Sequence, residues 1–220
     1  MTDTDLPTEA PPAAVPASPE VTAAEAGHDS LDHVTSTGIS NEKLGMWIFL
    51  GSECLLFGGL ISTYLLYKQT ARTGPLPADL FENDFTSISS FVLLMSSLTM
   101  VLAVSAAARD DGPKLRTWLM TTALLGGTFV AGQVYEFRTF VREGMGFTTS
   151  PASSAFYTLT GFHGVHVTLG IVMLVSAFVL SLRGRIPASR AEAIEIVGLY
   201  WHFVDVVWIL IFTIVYLIPN

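Results

Sequence analysis

One cysteine, Cys54, in 220 residues excludes a disulfide framework and a zinc site built from several thiolates. Charge is scarce too. Only 14% of residues are Asp, Glu, Lys or Arg, against nearer a quarter in a soluble domain. The 11 bases face 19 acids and form no basic patch, which argues against nucleic-acid binding. No basic start leads into a short apolar run with a small-residue cleavage site, so the N-terminus does not read as a secretory signal. Apolar residues are what the chain has in abundance, at 50%.

The charge is unevenly placed. Residues 1–44 carry eight acids and one base, Lys43, so nearly all of the net charge of −8 lies there. This stretch is rich in Ala, Pro, Ser and Thr and poor in large apolar residues. It cannot bury enough surface to offset its ordering entropy, so residues 1–42 are expected to form a disordered acidic tail.

From residue 43 to 220 the chain is a series of long apolar runs, at about 44–67, 87–108, 115–135, 155–182 and 194–218. Each exceeds the ~20 residues with which a helix crosses ~30 Å of hydrocarbon. A barrel would show alternating segments of about ten residues instead. The expected fold is therefore all-α: a polytopic membrane protein with a bundle of five transmembrane helices. Glycines, prolines and charges fill the connections, of which 109–114, reading RDDGPK, is a tight polar turn. With the N-terminus in the cytoplasm, seven bases (Lys43, Arg109, Lys114, Arg116, Arg183, Arg185, Arg190) fall inside and four (Lys68, Arg72, Arg138, Arg142) outside. The bias favours N-inside and C-outside.

Ionisable residues inside the spans are costly and usually face a bundle interior. Five lie there: Glu53, His163, His166, His202 and Asp205. At ~1.5 Å per residue, Glu53, His166, His202 and Asp205 fall ~12–16 Å deep, in one layer. His163 and His166 share a helix face at i,i+3, as do His202 and Asp205. Glu136 ends the third run. Four readings of this layer stay open: interhelical hydrogen bonds, a proton path, a metal or haem site from three histidines, or transport. Trp47, Tyr67, Trp118, Tyr135, Tyr200, Trp201 and Tyr216 are placed as an interfacial belt, with Trp208 inside the bundle. Small residues, the serines of the second run with Gly58 and Gly59 of the first, would permit close packing. Cys54 reads as a buried, inert thiol.

Four stretches carry a resemblance: MWIFLGSE at 46–53, QVYEF at 133–137, GFHGVHVTLG at 161–170 and LYWHFVDVVW at 199–208. Together, over about 43–220 and in order, they closely resemble subunit III of the haem-copper terminal oxidases, the cytochrome c and quinol oxidases. The resemblance implies a non-catalytic subunit of an oxidoreductase complex. Haem and copper would belong to subunits I and II, leaving no cofactor or metal in this chain. Its implied partners are subunit I directly, subunit II in the same complex, and phospholipid. Its implied role is to support assembly, stability and proton uptake of subunit I during O2 reduction and proton pumping in a bacterial plasma membrane. The family's membrane carboxylate falls on Glu53, its paired histidines on His163 and His166, and its His–Asp pair on His202 and Asp205.

Long members have seven spans; here the first two are absent, and with them one wall of the family's lipid cleft. Arg116, Arg183 and Arg185 remain candidates for anionic lipid heads at the inner face. A quinol oxidase subunit III or an accessory subunit of a nitric oxide reductase are variants of the same reading. An independent small proton or ion transporter is the reading from a different class. The electron donor is not legible, because its site lies on subunit II.

Overall fold

The computed structural model describes residues 40–68, 83–184 and 191–218. Tail residues 1–39 and the connections at 69–82 and 185–190, with Arg72, Arg185 and Arg190, lie outside the described residues. The fold is all-α. Among the described residues five helices follow one another, α1 (Asn41–Lys68), α2 (Asn83–Ala108), α3 (Gly112–Arg142), α4 (Pro151–Leu182) and α5 (Ala191–Phe212), and a π-helical turn, Thr213–Leu217, continues α5.

Four of these are long and apolar enough to cross a membrane: Asn41–Lys68, Phe85–Ala108, Pro151–Leu182 and Ala191–Leu217. The chain is thus a multi-pass membrane protein. At 31 residues α3 is long enough, but Thr117, Thr121, Thr122, Thr128, Gln133 and four glycines dilute its apolar character. Its threonines stay compatible with an apolar setting because each bonds the carbonyl one turn back, as Thr122 does to Trp118 at 2.8 Å and Thr128 to Leu124 at 2.9 Å. α3 also runs seven residues past the expected end, to Arg142. Gln133 and Phe140 stay on its buried face, so residues 136–142 continue the helix rather than open the connection.

The turns follow local chemistry. Between α2 and α3, Asp110 takes φ 56° and Asp111 caps α3, its side chain accepting from the Lys114 amide at 3.2 Å. The Lys114 ammonium, 2.8 Å from that carboxylate, holds the Asp111 carboxyl below its ordinary range. α4 opens on Ser150, which accepts from the Ser153 amide at 3.1 Å, with Pro151 in the first turn, where no amide proton is needed.

The helices differ in how much they bury. α4 buries thirteen residues along its length. α1 buries only Leu50, Phe57, Tyr64 and Lys68, a seam with one residue every two turns. The rest of α1 is outward, Leu55 at 80% exposure. This overturns two expectations. Cys54 lies off the seam and is exposed. Among the described residues nothing lies within 4 Å of an added Cβ at Gly58 or Gly59, so they serve no close packing there.

The aromatic belt is partly corrected as well. Trp47, Tyr67 and Tyr135 are exposed, but Tyr200 and Trp201 are buried at 3% and 1%. Trp201 enters the core because glycines face it from two helices: a Cβ at Gly126 of α3 would stand 2.5 Å from its ring, and one at Gly170 of α4 would stand 2.8 Å away. Its indole N–H donates to Ser96 Oγ at 3.0 Å. Trp208 packs inside the bundle and donates to Ser90 Oγ at 2.9 Å. Both serines sit on α2, whose small residues thus act as acceptors for buried indoles.

Candidate functional site

The midplane residues do not form one cluster. They separate into three arrangements, each tying different helices.

Glu53 of α1 meets His166 of α4, Oε2 to Nε2 at 3.1 Å, with side chains 14% and 10% exposed. The other ring nitrogen, Nδ1, lies 2.7 Å from the Phe162 carbonyl. A carbonyl only accepts, so Nδ1 carries a proton. One further proton is then shared between Nε2 and the carboxyl. The pair is either an imidazolium with a carboxylate or a neutral imidazole with a carboxylic acid, and its net charge is zero in both. Phe57 covers the ring edge-on at 5.0 Å, and the Tyr200 hydroxyl donates to the His166 carbonyl at 3.0 Å.

His163 is fully buried. Its Nε2 donates to the Val204 carbonyl at 3.2 Å, which fixes the tautomer and leaves Nδ1 as a buried acceptor without a partner among the described residues. Trp208 and Phe129 enclose it, with ring centroids at 4.8 Å and 5.8 Å. This is a packing histidine, bonded across the α4–α5 contact.

His202 of α5 turns to Ser97 of α2, whose hydroxyl stands 2.6 Å from His202 Nδ1. Asp205 is 5% exposed, and among the described residues its Oδ1 has no hydrogen-bond partner.

Among the described residues, no group of three or more His, Cys, Asp or Glu side chains could hold a metal ion. The three midplane histidines face different partners, so they do not converge on one point.

Of the lipid candidates, Arg116 lies at the start of α3 and donates to Ser181 Oγ near the end of α4 at 3.3 Å. Arg183 is exposed just past the end of α4, and Arg185 lies outside the described residues.

Several polar contacts escaped a search restricted to ionisable residues in the apolar runs. Gln133 is buried and donates to the Thr160 carbonyl at 3.0 Å; its amide fills the notch at Gly164, where a Cβ would meet Oε1 at 2.5 Å. Lys68, read as a loop base, instead caps the last helix, donating to the Ile214 and Ile218 carbonyls at 3.2 and 2.7 Å. Lys43 pairs with Glu195 at 2.8 Å, and Glu136 bonds Thr86. Apart from QVYEF, which includes Gln133 and Glu136, their only signal was position near a span end.

The sequence profile of the family described as cytochrome c oxidase subunit III matches residues 23–219. It reaches back into the acidic stretch that the four motifs alone left out. Cytochrome c oxidase subunit 3 of Bacillus sp. (strain PS3) is 41% identical over 177 residues, covering 80% of this chain and 86% of that protein. Quinol oxidase subunit 3 of Bacillus subtilis (strain 168) is 42% identical over 188 residues, covering 85% and 91%. Cytochrome bo(3) ubiquinol oxidase subunit 3 of Pseudomonas aeruginosa is 37% identical over 194 residues, covering 88% and 91%. With the membrane helices, the motifs and these matches all in agreement, the chain belongs to the cytochrome c oxidase subunit III family, as a non-catalytic subunit III of a haem-copper oxidase.

Proposed function

We propose that this chain docks on subunit I of an aerobic respiratory oxidase, with subunit II in the same complex, and sustains its assembly, stability and proton uptake. The family match over 23–219 carries this reading. Haem and copper reside in the partners, and the midplane contacts of this chain hold its own helices together. Relatives named for cytochrome c and for quinol match about equally well, so the reading covers both donors.

The proposed organisation is an acidic tail at 1–42 and a bundle of five crossings at 43–220 in a bacterial plasma membrane. The contacts at the helix ends support a crossing by α3. Near its start, Arg116 bonds Ser181 close to the end of α4. Toward its other end, Glu136 bonds Thr86 close to the start of α2. α3 therefore runs the length of its neighbours. The base count then puts the N-terminus in the cytoplasm and Asn220 outside. Cysteine introduced at Asp110 should be shielded from an impermeant thiol reagent in intact cells, and cysteine at Gly144 should react; the reverse pattern rejects this orientation.

Arg116 and Arg183, with Arg185, would hold anionic phospholipid at the inner face, since guanidinium groups match phosphate in a bidentate fashion. One preparation tests docking and lipid together. Purified in mild detergent, the tagged chain should elute with haem-bearing subunits, and elution alone rejects the docking. Native mass spectra should show less bound phospholipid for an Arg183→Ala, Arg185→Ala variant. Equal lipid in both removes the lipid proposal and leaves the docking intact.

A further inference from the structure

A groove runs along the exposed side of the α3–α4 pair. Near the connection between the two helices it holds about 490 Å³, bounded by Val134, Phe137, Arg138, Val141, Arg142 and Tyr157. A trough of about 310 Å³ shares Val134 and Phe137 with it and reaches Leu169 of α4. The trough is open because α4 carries glycines there. Among the described residues nothing lies within 4 Å of a Cβ added at Gly161, and only the Gln133 amide fills the notch at Gly164. Val134, Val165 and Leu169 on its walls are exposed.

The polar groups of this groove are of two kinds. Three already donate within the chain: Tyr157 to the Met145 carbonyl at 2.7 Å, Gln133 to the Thr160 carbonyl at 3.0 Å, and Thr168 to the Gly164 carbonyl at 2.8 Å. Arg138 and Arg142 do not. They stand one turn apart on α3, exposed, and among the described residues neither guanidinium has a hydrogen-bond or ion-pair partner. The nearest acids in sequence leave them unmatched, for Glu136 turns to Thr86 of α2 and Glu143, just past the end of α3, does not line the groove. The groove is therefore cationic at one end and suited to hydrocarbon along the rest. From Tyr157 to Leu169 it follows α4 for ~18 Å at ~1.5 Å per residue, a little more than one leaflet of a ~30 Å hydrocarbon core. A partner helix that crosses the membrane needs a face of full thickness. A lipid needs one leaflet, with its charge at the surface.

We infer that the α3–α4 groove binds one anionic phospholipid, with its phosphate on Arg138 and Arg142 and an acyl chain in the trough over Gly161. Guanidinium groups match phosphate oxygens in a bidentate fashion, whereas a zwitterionic head brings a cation of its own to the same two arginines. Arg183 lies past the opposite end of α4, so this is a second lipid site, in the other leaflet from the inner-face arginines. The inference rests on the five-crossing reading proposed above, because α3 must meet lipid. Thiol labelling at Asp110 and Gly144 reports on that reading without reference to any bound lipid.

The test uses the tagged full chain purified in mild detergent with whatever subunits accompany it, in an Arg183→Ala, Arg185→Ala background that removes the inner-face candidates. Dioleoyl phosphatidylglycerol and dioleoyl phosphatidylcholine are titrated in separately, and bound lipid is counted by native mass spectrometry. Phosphatidylglycerol should fill a site that phosphatidylcholine does not. Adding Arg138→Ala and Arg142→Ala should weaken its binding roughly tenfold, as expected on losing charge-assisted bonds. Gly161→Phe, which keeps both arginines and projects into open space, should weaken it by a similar factor. Glycerol phosphate, a head without chains, should not displace the lipid. Unchanged phosphatidylglycerol binding in either variant, equal binding of phosphatidylcholine, or displacement by glycerol phosphate overturns the inference. So does a crosslink from cysteine introduced at Gly161 to a haem-bearing subunit, which would give the groove to a protein partner. Should Gly161→Phe not assemble, the arginine variant and the choice between the two lipids decide.

Discussion

Alanine in place of Gly126 or Gly170 is expected to loosen the bundle by about 1–3 kcal/mol each, the usual range for overpacking a filled core. The reason is the Trp201 ring. A Cβ at Gly126 would stand 2.5 Å from Cη2 and 2.9 Å from Cζ2, and one at Gly170 would stand 2.8 Å from Cε3 and 2.9 Å from Cζ3. The ring is rigid and enclosed on both sides, and its N–H is held by Ser96 at 3.0 Å. It cannot retreat without giving up that bond or pushing one helix away. Thermal unfolding of the purified complex in mild detergent reads the effect. Trp201→Phe shortens the ring system, so it should recover much of the Gly126→Ala loss when combined with it. Gly126→Ala unfolding at the parent temperature would show that the indole is free to move.

The second large effect is expected at Glu53. Removing the carboxyl by Glu53→Ala strips His166 Nε2 of its partner in an apolar layer. Breaking a buried pair from one side costs about 3–5 kcal/mol. His166→Ala should cost a similar amount, and the double variant should cost less than the two losses combined, because the second change removes the stranded group. Glu53→Gln behaves differently. Its amide donates to a neutral Nε2 while Nδ1–H stays on the Phe162 carbonyl, so the α1–α4 bond survives without a titrating group. Assembly and turnover of the Gln variant should stay near the parent. A well-assembled Gln variant that pumps fewer protons, or inactivates faster in turnover, would move Glu53 from a structural to a proton-handling role.

Most of the helix order was legible because apolar run length is set by the bilayer and needs no partner to interpret. The ends were less so: α3 continues to Arg142 because Phe140 packs on its buried face, a tertiary fact with no local marker. Depth along each helix put Glu53 and His166 at one level, and the two side chains meet at 3.1 Å. It could not show that His163 turns to Val204 while His202 turns to Ser97, since rotation about a helix axis depends on its neighbours. Trp201 is the sharpest miss. Its position near a span end suggested the interface, whereas the two glycines that admit it lie 75 and 31 residues away in sequence. Lys68 was missed for a related reason: an ammonium at a helix end reads as solvated until the carbonyls of another helix are found beside it.

The way α1 is held has a consequence for how the chain is made. Its polar anchors are Lys43 to Glu195, Glu53 to His166, and Lys68 to Ile214 and Ile218, and their separations along the chain run from 113 to 152 residues. Every one of those partners lies on α4, on α5, in the π-helical turn or just after it, and these are synthesised last, because translation delivers the N-terminal segment first. α1 therefore completes its polar contacts to the rest of the bundle only after more than a hundred further residues have been made. The final turns of the chain complete the bundle, and the first helix waits for them.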